Sequence, residues 1–322
     1  MRAALYDRYG PSSEVLRVAD VERPDPGPGE VRVRIEYSGV NPTDWKSRSG
    51  ATARPIEGFQ IPHHDGAGVI DAVGEGVDES RTGQRVWTWM AAAGSRWGTC
   101  AQWTVVPSAR AVPLPDGVTA ELGASLGVPA VTAHRCLFAD GPVDGQTVLV
   151  AGGAGAVGHF AIELAKFAGA RVITTVSGPE KAQLARKAGA DLVVNYTEPL
   201  AADQITSSGP VDRIIEVALG ANLALDLAVL SPGRPVVTYA AEPADPALPV
   251  RACMNANVVL RFVLLYGVPP EALEVAARDI TAALTSGALT ELPVHRFGLD
   301  DIVAAQDAVQ RGAVGKVLVE LP

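Results

Sequence analysis

The stretch that decides the fold runs from Gln146 to Lys181 and reads QTVLVAGGAGAVGHFAIELAKFAGARVITTVSGPEK. A short apolar run, Thr147–Ala151, is followed by glycines and then by Ala156–Ala168, where apolar residues recur at helical spacing. A second apolar run, Arg171–Val176, comes next. The order strand, glycine turn, helix and strand predicts a βαβ unit whose turn suits an anion.

The glycines of the turn, Gly153, Gly155 and Gly158, have the G-x-G-x-x-G spacing, and Ala156 and Val157 open the helix. The first amides of a helix lack intrahelical partners and carry the positive end of the helix dipole, so they attract a phosphate that can approach closely. Glycine removes the side chains that would block that approach. These five residues are therefore predicted to bind the pyrophosphate of a dinucleotide, although a glycine-rich turn can also be purely structural.

The tip of the second strand indicates which dinucleotide binds. NAD-binding versions of this unit carry an Asp or Glu there, which accepts hydrogen bonds from the ribose hydroxyls. This chain has Ser177 and Gly178 at the tip and Lys181 one turn later, so a 2′-phosphate would meet a hydroxyl and a cation. The sequence favours NADPH, with Ser177 and Lys181 as ligands. The alternative makes Lys181 an ordinary solvated helix residue.

Length and composition limit the possible functions. The chain has 322 residues, enough for two domains, and a net charge of −9, which argues against nucleic acid as a partner. Its 3 cysteines are scattered without C-x-x-C spacing, so neither disulfides nor a structural zinc cluster is indicated. The first residues form a strand pattern rather than a leader, and no apolar run reaches the roughly 18 residues of a membrane span. We expect a cytoplasmic protein that does not enter the membrane.

Two kinds of pattern divide the chain. The first part consists of short β-type runs broken by Gly and Pro, with strands predicted at Ala3–Tyr6, Val15–Val18, Glu30–Tyr37, Ala67–Val73, Arg85–Trp89 and Ala101–Val105. From Thr119 onward, helices alternate with buried-type strands, which is typical of a parallel sheet. These strands are predicted at Thr147–Ala151, Arg171–Val176, Leu192–Asn195, Arg213–Val217, Pro235–Tyr239 and Val258–Leu265. A helix at 270–286, a strand near 294–297, a helix at 300–310 and a strand at 316–321 complete the chain.

The pattern predicts an α/β protein of two domains. Residues 1–122 and 267–322 are expected to form a mostly-β domain, because the last segments are predicted to rejoin the first ones. Residues 123–266 are expected to form a doubly wound Rossmann domain with a parallel sheet. Ligands of open α/β sheets bind in crevices at the strand ends, so we expect the active site in the cleft between the domains.

Six motifs spread over the chain carry a family resemblance. They are Gly39-Val-Asn-Pro-Thr-Asp-Trp-Lys, Ile61-Pro-His-His-Asp-Gly-Ala-Gly-Val-Ile-Asp-Ala-Val-Gly, Val131-Thr-Ala, Ala154-Gly-Ala-Val-Gly, Lys187-Ala-Gly-Ala-Asp with Asn195-Tyr, and Gly315-Lys-Val-Leu. With them the chain resembles, over essentially its whole length, the zinc-independent quinone oxidoreductases. This zeta-crystallin-like family belongs to the medium-chain dehydrogenase/reductase superfamily. The resemblance implies a GroES-like fold for the mostly-β domain.

The resemblance also implies that no metal is bound. The zinc alcohol dehydrogenases of the superfamily place cysteine ligands where this chain has Asn41 and, approximately, Val128. Their cysteine-rich structural lobe is missing as well. His63, His64 and Asp65 lie near the place where the zinc enzymes have a His-Glu pair. Without thiolate partners, we interpret these three side chains as structural or cleft-lining.

The family's cofactor contacts are carried over residue by residue. Residues matching Asn41 and Thr132 contact the nicotinamide ribose, those matching Lys181 and Tyr196 hold the adenosine phosphate, and backbone near Val263–Leu265 meets the carboxamide. Lys316, in the final motif, is predicted as a further contact. The predicted contacts outside the glycine turn are therefore Asn41, Thr132, Ser177, Lys181, Tyr196, Val263, Leu265 and Lys316.

Asn41 and Lys46 are the predicted catalytic residues. Without a metal the protein must polarise a carbonyl through hydrogen bonds, which suits a quinone or a conjugated C=C–C=O group, because the enolate or phenolate formed needs only modest stabilisation. Quinone reductases of this group often have an aromatic hydroxyl at the position of Lys46. An ammonium there could orient an acceptor oxygen or donate a proton. The alternatives are a solvated lysine or a partner of Asp44.

The substrate pocket is predicted to include Trp45, Lys46, Trp89 and Tyr266. All 5 tryptophans of the chain lie in the first domain, and flat acceptors could stack on those at the edge of the cleft. Ordinary core packing would explain these aromatic side chains equally well.

The leading interpretation is an NADPH-dependent, metal-free reductase of quinones or α,β-unsaturated carbonyl compounds. Related polyketide and fatty-acid enoyl reductases leave an enoyl-thioester substrate as an alternative. Relatives that serve as lens or vesicle proteins leave a third possibility, an NADPH-binding sensor or structural protein with little turnover.

The last strand of the predicted sheet indicates the assembly. Residues 257–266 are apolar on both faces and are predicted to lie at the edge of the sheet, where exposure would invite aggregation. Pairing with the same strand of a second copy would cover that edge, and the family resemblance also implies a homodimer joined in this way.

Overall fold

The computed structural model describes residues 1–52, 55–242 and 244–322. These residues form two compact units, one made of residues 1–128 and 291–322 and the other of residues 129–290. The long helix α3 (Ala120–Phe138) contains the boundary between them.

The first unit is mostly β. Its strands are β1 (Arg2–Leu5), β2 (Arg17–Asp20), β3 (Glu30–Val40), β4 (Asp65–Val73), β5 (Arg85–Thr88), β6 (Trp103–Pro107), β7 (Ala111–Pro113), β14 (Val294–Gly298) and β15 (Lys316–Glu320). Its helices besides the first part of α3 are α1 (Ser12–Val15), α2 (Pro42–Ser49) and α10 (Ile302–Gln310). The main sheet has the order β14-β15-β3-β4-β5-β7, with β6 also paired to β3, while β1 and β2 pair separately.

Strand β3 organises this unit because it pairs with three other strands. Along it, Val31, Val33 and Ile35 are buried in the core, two residues apart, as a pleated strand requires. At its far end, Gly39 lies opposite both Asp65 of β4 and Leu318 of β15. This register brings residues that are far apart in the sequence to the end of β3, immediately before α2.

The second unit is a doubly wound α/β fold. Its strands are β8 (Thr147–Ala151), β9 (Arg171–Val176), β10 (Leu192–Asn195), β11 (Arg213–Glu216), β12 (Pro235–Thr238) and β13 (Val259–Phe262). Its helices besides the second part of α3 are α4 (Ala156–Phe167), α5 (Pro179–Lys187), α6 (Ala201–Ser207), α7 (Leu219–Val229), α8 (Val250–Ala256) and α9 (Pro270–Thr285). All strand pairs are parallel, in the order β10-β9-β8-β11-β12-β13. The order reverses between β8 and β11, and ligands of such sheets bind at the carboxyl ends beside this point.

The α/β fold class predicted from the sequence is confirmed, and several bounds differ. The chain returns to the first unit at Glu291 rather than at 267, because α9 packs its buried apolar face against α4 of the second unit. The strand predicted at Val15–Val18 begins only at Arg17, after the helical turn of α1. The strand predicted at Ala101–Val105 lies two residues later.

The last strand of the Rossmann sheet is shorter than predicted. Strand β13 lies at the edge of the sheet, as expected, and has 4 residues. It begins after Asn257, whose left-handed φ of 45° ends α8, and it is soon followed by a 3-10 turn at Leu265–Gly267. In the part of the chain that the structure describes, no helix combines the length and apolar character needed to cross a membrane.

Candidate active site

The glycine turn lies between β8 and α4, at the carboxyl end of the first Rossmann strand. Gly152 makes the turn possible, since its φ of +71° lies in the left-handed region. Its carbonyl accepts the N–H of Gly155 at 3.0 Å, and Gly155 is the N-cap of α4. The amides of Ala156, Val157 and Gly158 then form the first turn of the helix, where N–H groups lack intrahelical partners. The turn has the geometry of a phosphate-binding helix start.

Three glycines of this turn are required for different reasons. A Cβ at Gly153 would lie 2.1 Å from Oγ1 of Thr174, and a Cβ at Gly158 would lie 2.3 Å from the carbonyl oxygen of Gly152. A Cβ at Gly155 would meet only that same carbonyl oxygen, at an ordinary 3.4 Å. Gly153 and Gly158 are therefore fixed by internal packing. Gly155 faces open space, where an atom of a ligand could approach the backbone.

Two of the predicted phosphate ligands touch each other at the end of β9. The Lys181 ammonium, on α5, donates a hydrogen bond to Oγ of Ser177 at 2.9 Å. Tyr196 follows the neighbouring strand β10, and its N–H donates to the Val176 carbonyl at 3.1 Å. Its side chain is exposed. The structure brings these three residues to one corner of the sheet, with a hydroxyl, an ammonium and an exposed phenol available to a ligand.

The remaining predicted contacts of the second unit are distributed along it. Val263 follows β13, and its N–H donates to the Thr238 carbonyl at the end of β12, so it shares the carboxyl edge of the sheet with the glycine turn. Thr132 of α3 and Leu265 are buried. Tyr266, predicted for the substrate pocket, is half-buried in the 3-10 turn after β13.

The first unit holds a buried cluster of polar side chains at the end of β3. The Lys316 ammonium donates to Oδ1 of Asn41 at 2.7 Å, and Nδ2 of Asn41 donates to Oδ2 of Asp65 at 2.6 Å. The other Asp65 oxygen accepts the N–H of Val128 at 2.8 Å. The Asp44 carboxylate accepts the backbone N–H of Asn41 at 2.7 Å, at the start of α2. We call Asn41, Asp44, Asp65 and Lys316 the buried polar cluster.

Burial shifts the proton equilibria of the buried polar cluster. It raises the pKa of Asp65, an effect that the nearby Lys316 ammonium and the Asn41 amide oppose. Burial raises the pKa of Asp44 well above its usual value, which favours the neutral acid. It lowers the pKa of Lys316, while Asp65 and Asp44 act in the opposite direction. Lys316 Nζ and Asp65 Oδ2 lie 3.4 Å apart, which is close enough for an ion pair within the cluster.

Asn41 and Lys316 were both predicted to contact the cofactor. The buried polar cluster restricts the hydrogen bonds that they could make to it. Each is 2% exposed, and the polar atoms of each already have partners within the first unit. A side-chain amide has two N–H groups and an ammonium has three, so each side chain retains a donor. The structure defines a fixed orientation for Asn41 rather than a mobile side chain.

The predicted pocket residues of the first unit are of two kinds. Trp45 and Lys46 of α2 are half-buried, and the Lys46 ammonium lies 5.9 Å from the ring centroid of Trp45. Trp89 is buried, and the Arg110 guanidinium covers its ring at 5.6 Å. Trp45 and Lys46 could therefore contact a ligand, whereas Trp89 is packed in the interior.

The residues considered as metal ligands have other partners. Nδ1 of His63 lies 2.9 Å from the Ser38 hydroxyl, and Nε2 of His63 lies 3.3 Å from the Gln306 amide. Asp65 belongs to the buried polar cluster. Over residues 1–52, 55–242 and 244–322, no group of three or more His, Cys, Asp or Glu side chains has an arrangement that could hold a metal ion.

Sequence reasoning missed three features of these sites. Gly152, rather than Gly153, carries the left-handed backbone of the turn. Asp44 anchors Asn41, and the spacing from an Asn to an Asp three residues later, which is typical of a helix start, could have revealed it. The third feature is a pair of buried carboxyl groups, Glu216 and Asp226, for which the sequence offered no signal.

Glu216 and Asp226 form this carboxyl pair beside the switch point of the Rossmann sheet. Glu216 ends β11, and its Oε1 accepts hydrogen bonds from the Ala218 N–H at 2.5 Å and from Nδ2 of Asn222 at 2.8 Å. Glu216 and Asp226 are both buried, and each influences the proton equilibrium of the other. Burial, reinforced by the charge of Glu216, raises the pKa of Asp226 to about 8. A pKa of about 8 favours the protonated form of the Asp226 carboxyl group at neutral pH.

This proton makes stability depend on pH, and we expect the Asp226→Asn variant to remove the dependence. Because the folded pKa of Asp226 is raised, its contribution to stability is full below the unfolded pKa near 4 and is lost as the pH rises through about 8. Between pH 5 and pH 8.5, the wild type should lose about 4 kcal/mol of unfolding free energy relative to the variant. Urea unfolding at both pH values measures this difference. Asp203→Asn, on the exposed face of α6, is the control, and equal pH profiles for wild type and Asp226→Asn would contradict the raised pKa of Asp226.

Comparison with known proteins agrees with this architecture. Residues 27–116 match the family model of the alcohol dehydrogenase GroES-like domain, and residues 156–281 match that of the zinc-binding dehydrogenases. The quinone oxidoreductase of Lama guanicoe is 30% identical over 328 residues, which span 100% of this chain and 98% of that protein. A mycobacterial protein solved in complex with NADPH is 31% identical and has a TM-score of 0.84, with 99% of this chain and 100% of that one covered. A solved NAD-dependent alcohol dehydrogenase has a TM-score of 0.89 at 26% identity, with 100% of both chains covered.

A GroES-like unit combined with a Rossmann unit that carries a glycine turn defines the class of the medium-chain dehydrogenases/reductases. Given its full-length similarity to quinone oxidoreductases, the chain belongs to the zeta-crystallin-like quinone oxidoreductase family of that superfamily. The family resemblance and the GroES-like and Rossmann folds that it implied are thereby confirmed.

Proposed function

We propose that this chain is an NADPH-dependent, metal-free reductase that transfers hydride to quinones or α,β-unsaturated carbonyl compounds. The observation that carries the proposal is the contact between Ser177 and Lys181 at the end of β9. A hydroxyl and an ammonium stand where an NAD-specific site has a carboxylate. The NADPH complex of the mycobacterial relative, at 31% identity, supports the same cofactor.

The residues of the second unit fit NADPH. The open space at Gly155 leaves room for the pyrophosphate beside the first amides of α4. Ser177, Lys181 and the exposed Tyr196 would hold the adenosine 2′-phosphate, because an ammonium and hydroxyl groups are suitable partners for a dianion. Backbone at Val263 and Leu265 would meet the carboxamide. Thr132 is assigned to the nicotinamide ribose, as in the family.

The first unit supplies a reason to exclude a metal. In the zinc enzymes of the superfamily a cysteine ligand stands at the position of Asn41. Here the carbonyl oxygen of that side chain accepts a hydrogen bond from the Lys316 ammonium at 2.7 Å. A divalent cation at this place would be repelled by the ammonium and would find an amide instead of a thiolate.

Bound NADPH would supply the hydride, and the protein residues would orient the acceptor. Trp45 offers a flat, half-buried surface for a ring, and Lys46 of the same helix offers a donor to the acceptor oxygen. We propose Trp45 and Lys46 of the first unit as substrate contacts, and Tyr266 stays a predicted contact of the second unit. For Trp89, whose ring and indole N–H are both buried, contact with the substrate stays a prediction.

An assay of NADPH oxidation over a panel of quinones, enones and acyl thioesters tests the proposal. We expect turnover with quinones or enones, no loss of activity after dialysis against a chelator, and substoichiometric zinc by elemental analysis. Turnover with thioesters alone would instead assign an enoyl-thioester reductase. Tight NADPH binding without any turnover would indicate a sensor or structural protein.

Lys46→Ala is expected to lower kcat for quinones or enones about tenfold or more, because loss of an orienting or proton-donating group commonly has at least this effect. The KM for NADPH should change less than twofold, since the cofactor phosphates are bound elsewhere. Steady-state kinetics measures both constants. Ser49→Ala, an exposed change on the same helix, is the matched control. Unchanged kcat in Lys46→Ala would leave this lysine without a role in catalysis.

We further propose a homodimer joined through the edge of the Rossmann sheet. Phe262 at the end of β13 is 69% exposed and Leu264 is 67% exposed. Met254 and Val250, on α8 just before the strand, are also exposed. An edge strand with exposed apolar neighbours favours pairing with a second copy.

Light scattering is expected to give twice the chain mass of 33.4 kDa. Phe262→Asp should shift the protein toward the monomer, because it places a charge in the apolar contact. Leu200→Asp changes an equally exposed apolar residue away from β13 and serves as the control. A monomeric wild type, or the same dissociation in both variants, would contradict this interface.

A further inference from the structure

A chain of buried hydrogen bonds in the first unit ends at the buried polar cluster. It begins at the Arg48 guanidinium, whose Nε donates to Oε1 of Gln306 at 2.9 Å. A guanidinium has donors and no acceptor. The Gln306 amide must therefore turn its oxygen to Arg48 and its NH₂ group to His63, and the distance from Nε2 of Gln306 to Nε2 of His63 is 3.3 Å. Nε2 of His63 is thus the acceptor.

The other end of this series of hydrogen bonds independently determines which ring nitrogen of His63 carries the proton. The Thr99 hydroxyl lies 2.6 Å from the Asp65 carbonyl, which can only accept, so Thr99 is the donor. Thr99 then accepts from the Ser38 hydroxyl at 2.7 Å, and Ser38 accepts from Nδ1 of His63 at 2.9 Å. His63 must therefore carry its proton on Nδ1. Both ends of the series of hydrogen bonds therefore require the same neutral tautomer of His63.

The surroundings of His63 oppose a second proton. An imidazolium would direct two N–H groups outward, and one of them would meet the Gln306 NH₂ group. His63 is 1% exposed, and its burial, together with the nearby Lys316 and His64, lowers its pKa to about 3. The Arg48 guanidinium at the far side of Gln306 adds a further positive charge. His63 thus remains neutral over the physiological pH range.

The backbone at His63 shows what this arrangement holds in place. His63 has a φ of 76°, in the left-handed region that residues other than glycine rarely adopt. Its carbonyl accepts the N–H of Thr99 at 3.1 Å. Two residues later, the Asp65 carboxylate bonds to Asn41 and to the Val128 N–H. The bend at His63 leads the chain directly into the residue that orients Asn41.

We infer that His63 is a positioning residue, whose neutral Nδ1–H imidazole holds the left-handed bend that directs the Asp65 carboxylate to Asn41. This inference rests on the proposed function only in the step from Asn41 to catalysis. Gln306 and Arg48 act through His63, because they determine which ring nitrogen carries the proton. The pocket residue Lys46 and the cofactor ligands of the second unit have no part in this chain of hydrogen bonds.

The tautomer can be observed directly. Two-dimensional ¹H–¹⁵N spectra of the cofactor-free protein labelled at histidine are expected to show, for His63, a neutral ring protonated at Nδ1 from pH 5 to pH 8.5. The His63→Gln variant assigns the signal among the 5 histidines. A ring protonated at Nε2, or one that titrates in this range, would overturn the inference whether or not the protein reduces any acceptor.

The positioning role is tested by changing the partner of Nε2. In Gln306→Glu a carboxylate replaces the donor, so His63 should acquire a proton on Nε2, and the side-chain amide signals of Asn41 should shift. With an active enzyme, kcat should fall about tenfold, because small misplacements of catalytic groups have effects of this size or larger, and the KM for NADPH should stay within twofold. Gln310→Glu is the matched control, since Gln310 also contacts Arg48, at 3.5 Å, and makes no hydrogen bond to His63 within the described ranges.

A second pair of variants covers the case in which Gln306→Glu does not fold. His63→Gln keeps one donor and one acceptor, whereas His63→Leu keeps neither. The Asn41 amide signals and kcat should be largely preserved in His63→Gln. In His63→Leu the signals should shift and kcat should fall. Unmoved Asn41 signals in both Gln306→Glu and His63→Leu would refute the positioning role. Absence of turnover in the wild type with every acceptor would refute the proposed function while leaving the spectroscopic test intact.

Discussion

Gly155→Ala is expected to leave the fold intact and to weaken NADPH binding about 100-fold. Gly155 has a φ of −76° and a ψ of 162°, which alanine adopts readily. Its added methyl group would meet only the Gly152 carbonyl oxygen, at 3.4 Å. The unfolding free energy should therefore change by less than about 0.5 kcal/mol. The methyl group would, however, occupy the space in which the pyrophosphate approaches the helix amides, and one or two lost charge-assisted hydrogen bonds correspond to about 3 kcal/mol.

Gly158→Ala provides the contrast, because the same methyl group there would lie 2.3 Å from a backbone oxygen. This variant should lose about 3 kcal/mol of stability or more through overpacking, even without cofactor. Fluorescence titration with NADPH and urea unfolding of the cofactor-free protein measure the two effects. Unchanged NADPH affinity in a folded Gly155→Ala protein would show that the cofactor does not approach this glycine.

Lys181→Ala is expected to raise the KM for NADPH about 10- to 100-fold and to leave the KM for NADH nearly unchanged. Lys181 is the cation at the end of β9, held by its hydrogen bond to Ser177. A hydrogen bond between an ammonium and a phosphate contributes about 1.5–3 kcal/mol, and each 1.4 kcal/mol is a factor of ten in affinity. NADH lacks the 2′-phosphate, so the substitution removes no predicted contact between the protein and NADH.

The matched control for this prediction is Lys187→Ala. Lys187 carries the same charge on the same helix and is exposed, so it tests whether a general change in surface charge affects the cofactor. Steady-state kinetics of the wild type and both variants with each cofactor, on one acceptor that the wild type reduces, gives the six KM values needed. Equal increases of KM for NADPH and NADH in Lys181→Ala would contradict the assignment of the phosphate site.

The phosphate-binding residues of the second unit were predictable because their signals are local. The strand β8, the glycine turn and the start of α4 follow one another directly, so spacing alone predicted the arrangement. Ser177 and Lys181 are separated by one helical turn, and the distance between them follows from the start of α5 just after the strand. The predicted bounds of β8, β9 and β10 agree with those observed.

The buried polar cluster of the first unit was not predictable in the same way. Lys316 and Asn41 are 275 positions apart in the sequence, and only the pairing of β3 with β15 brings them together. The family resemblance suggested that both contact the cofactor, and it gave no indication that they bond to each other or to Asp65. The sequence also did not predict that the chain returns to the first unit at Glu291. The helix α9 stays in the second unit because it packs on α4, which is distant from it in the sequence.

The sequence by itself determined the class of fold, the phosphate-binding turn and the choice of an ammonium over a carboxylate at the second strand. Each of these depends on residues within one or two turns of one another, where backbone geometry leaves few alternatives. Only the tertiary structure decided the hydrogen-bond partners of His63, the orientation of Asn41 and the burial of Glu216 and Asp226. Hydrogen-bond direction and burial depend on which groups meet in the folded interior, and neighbours in space are not neighbours in sequence.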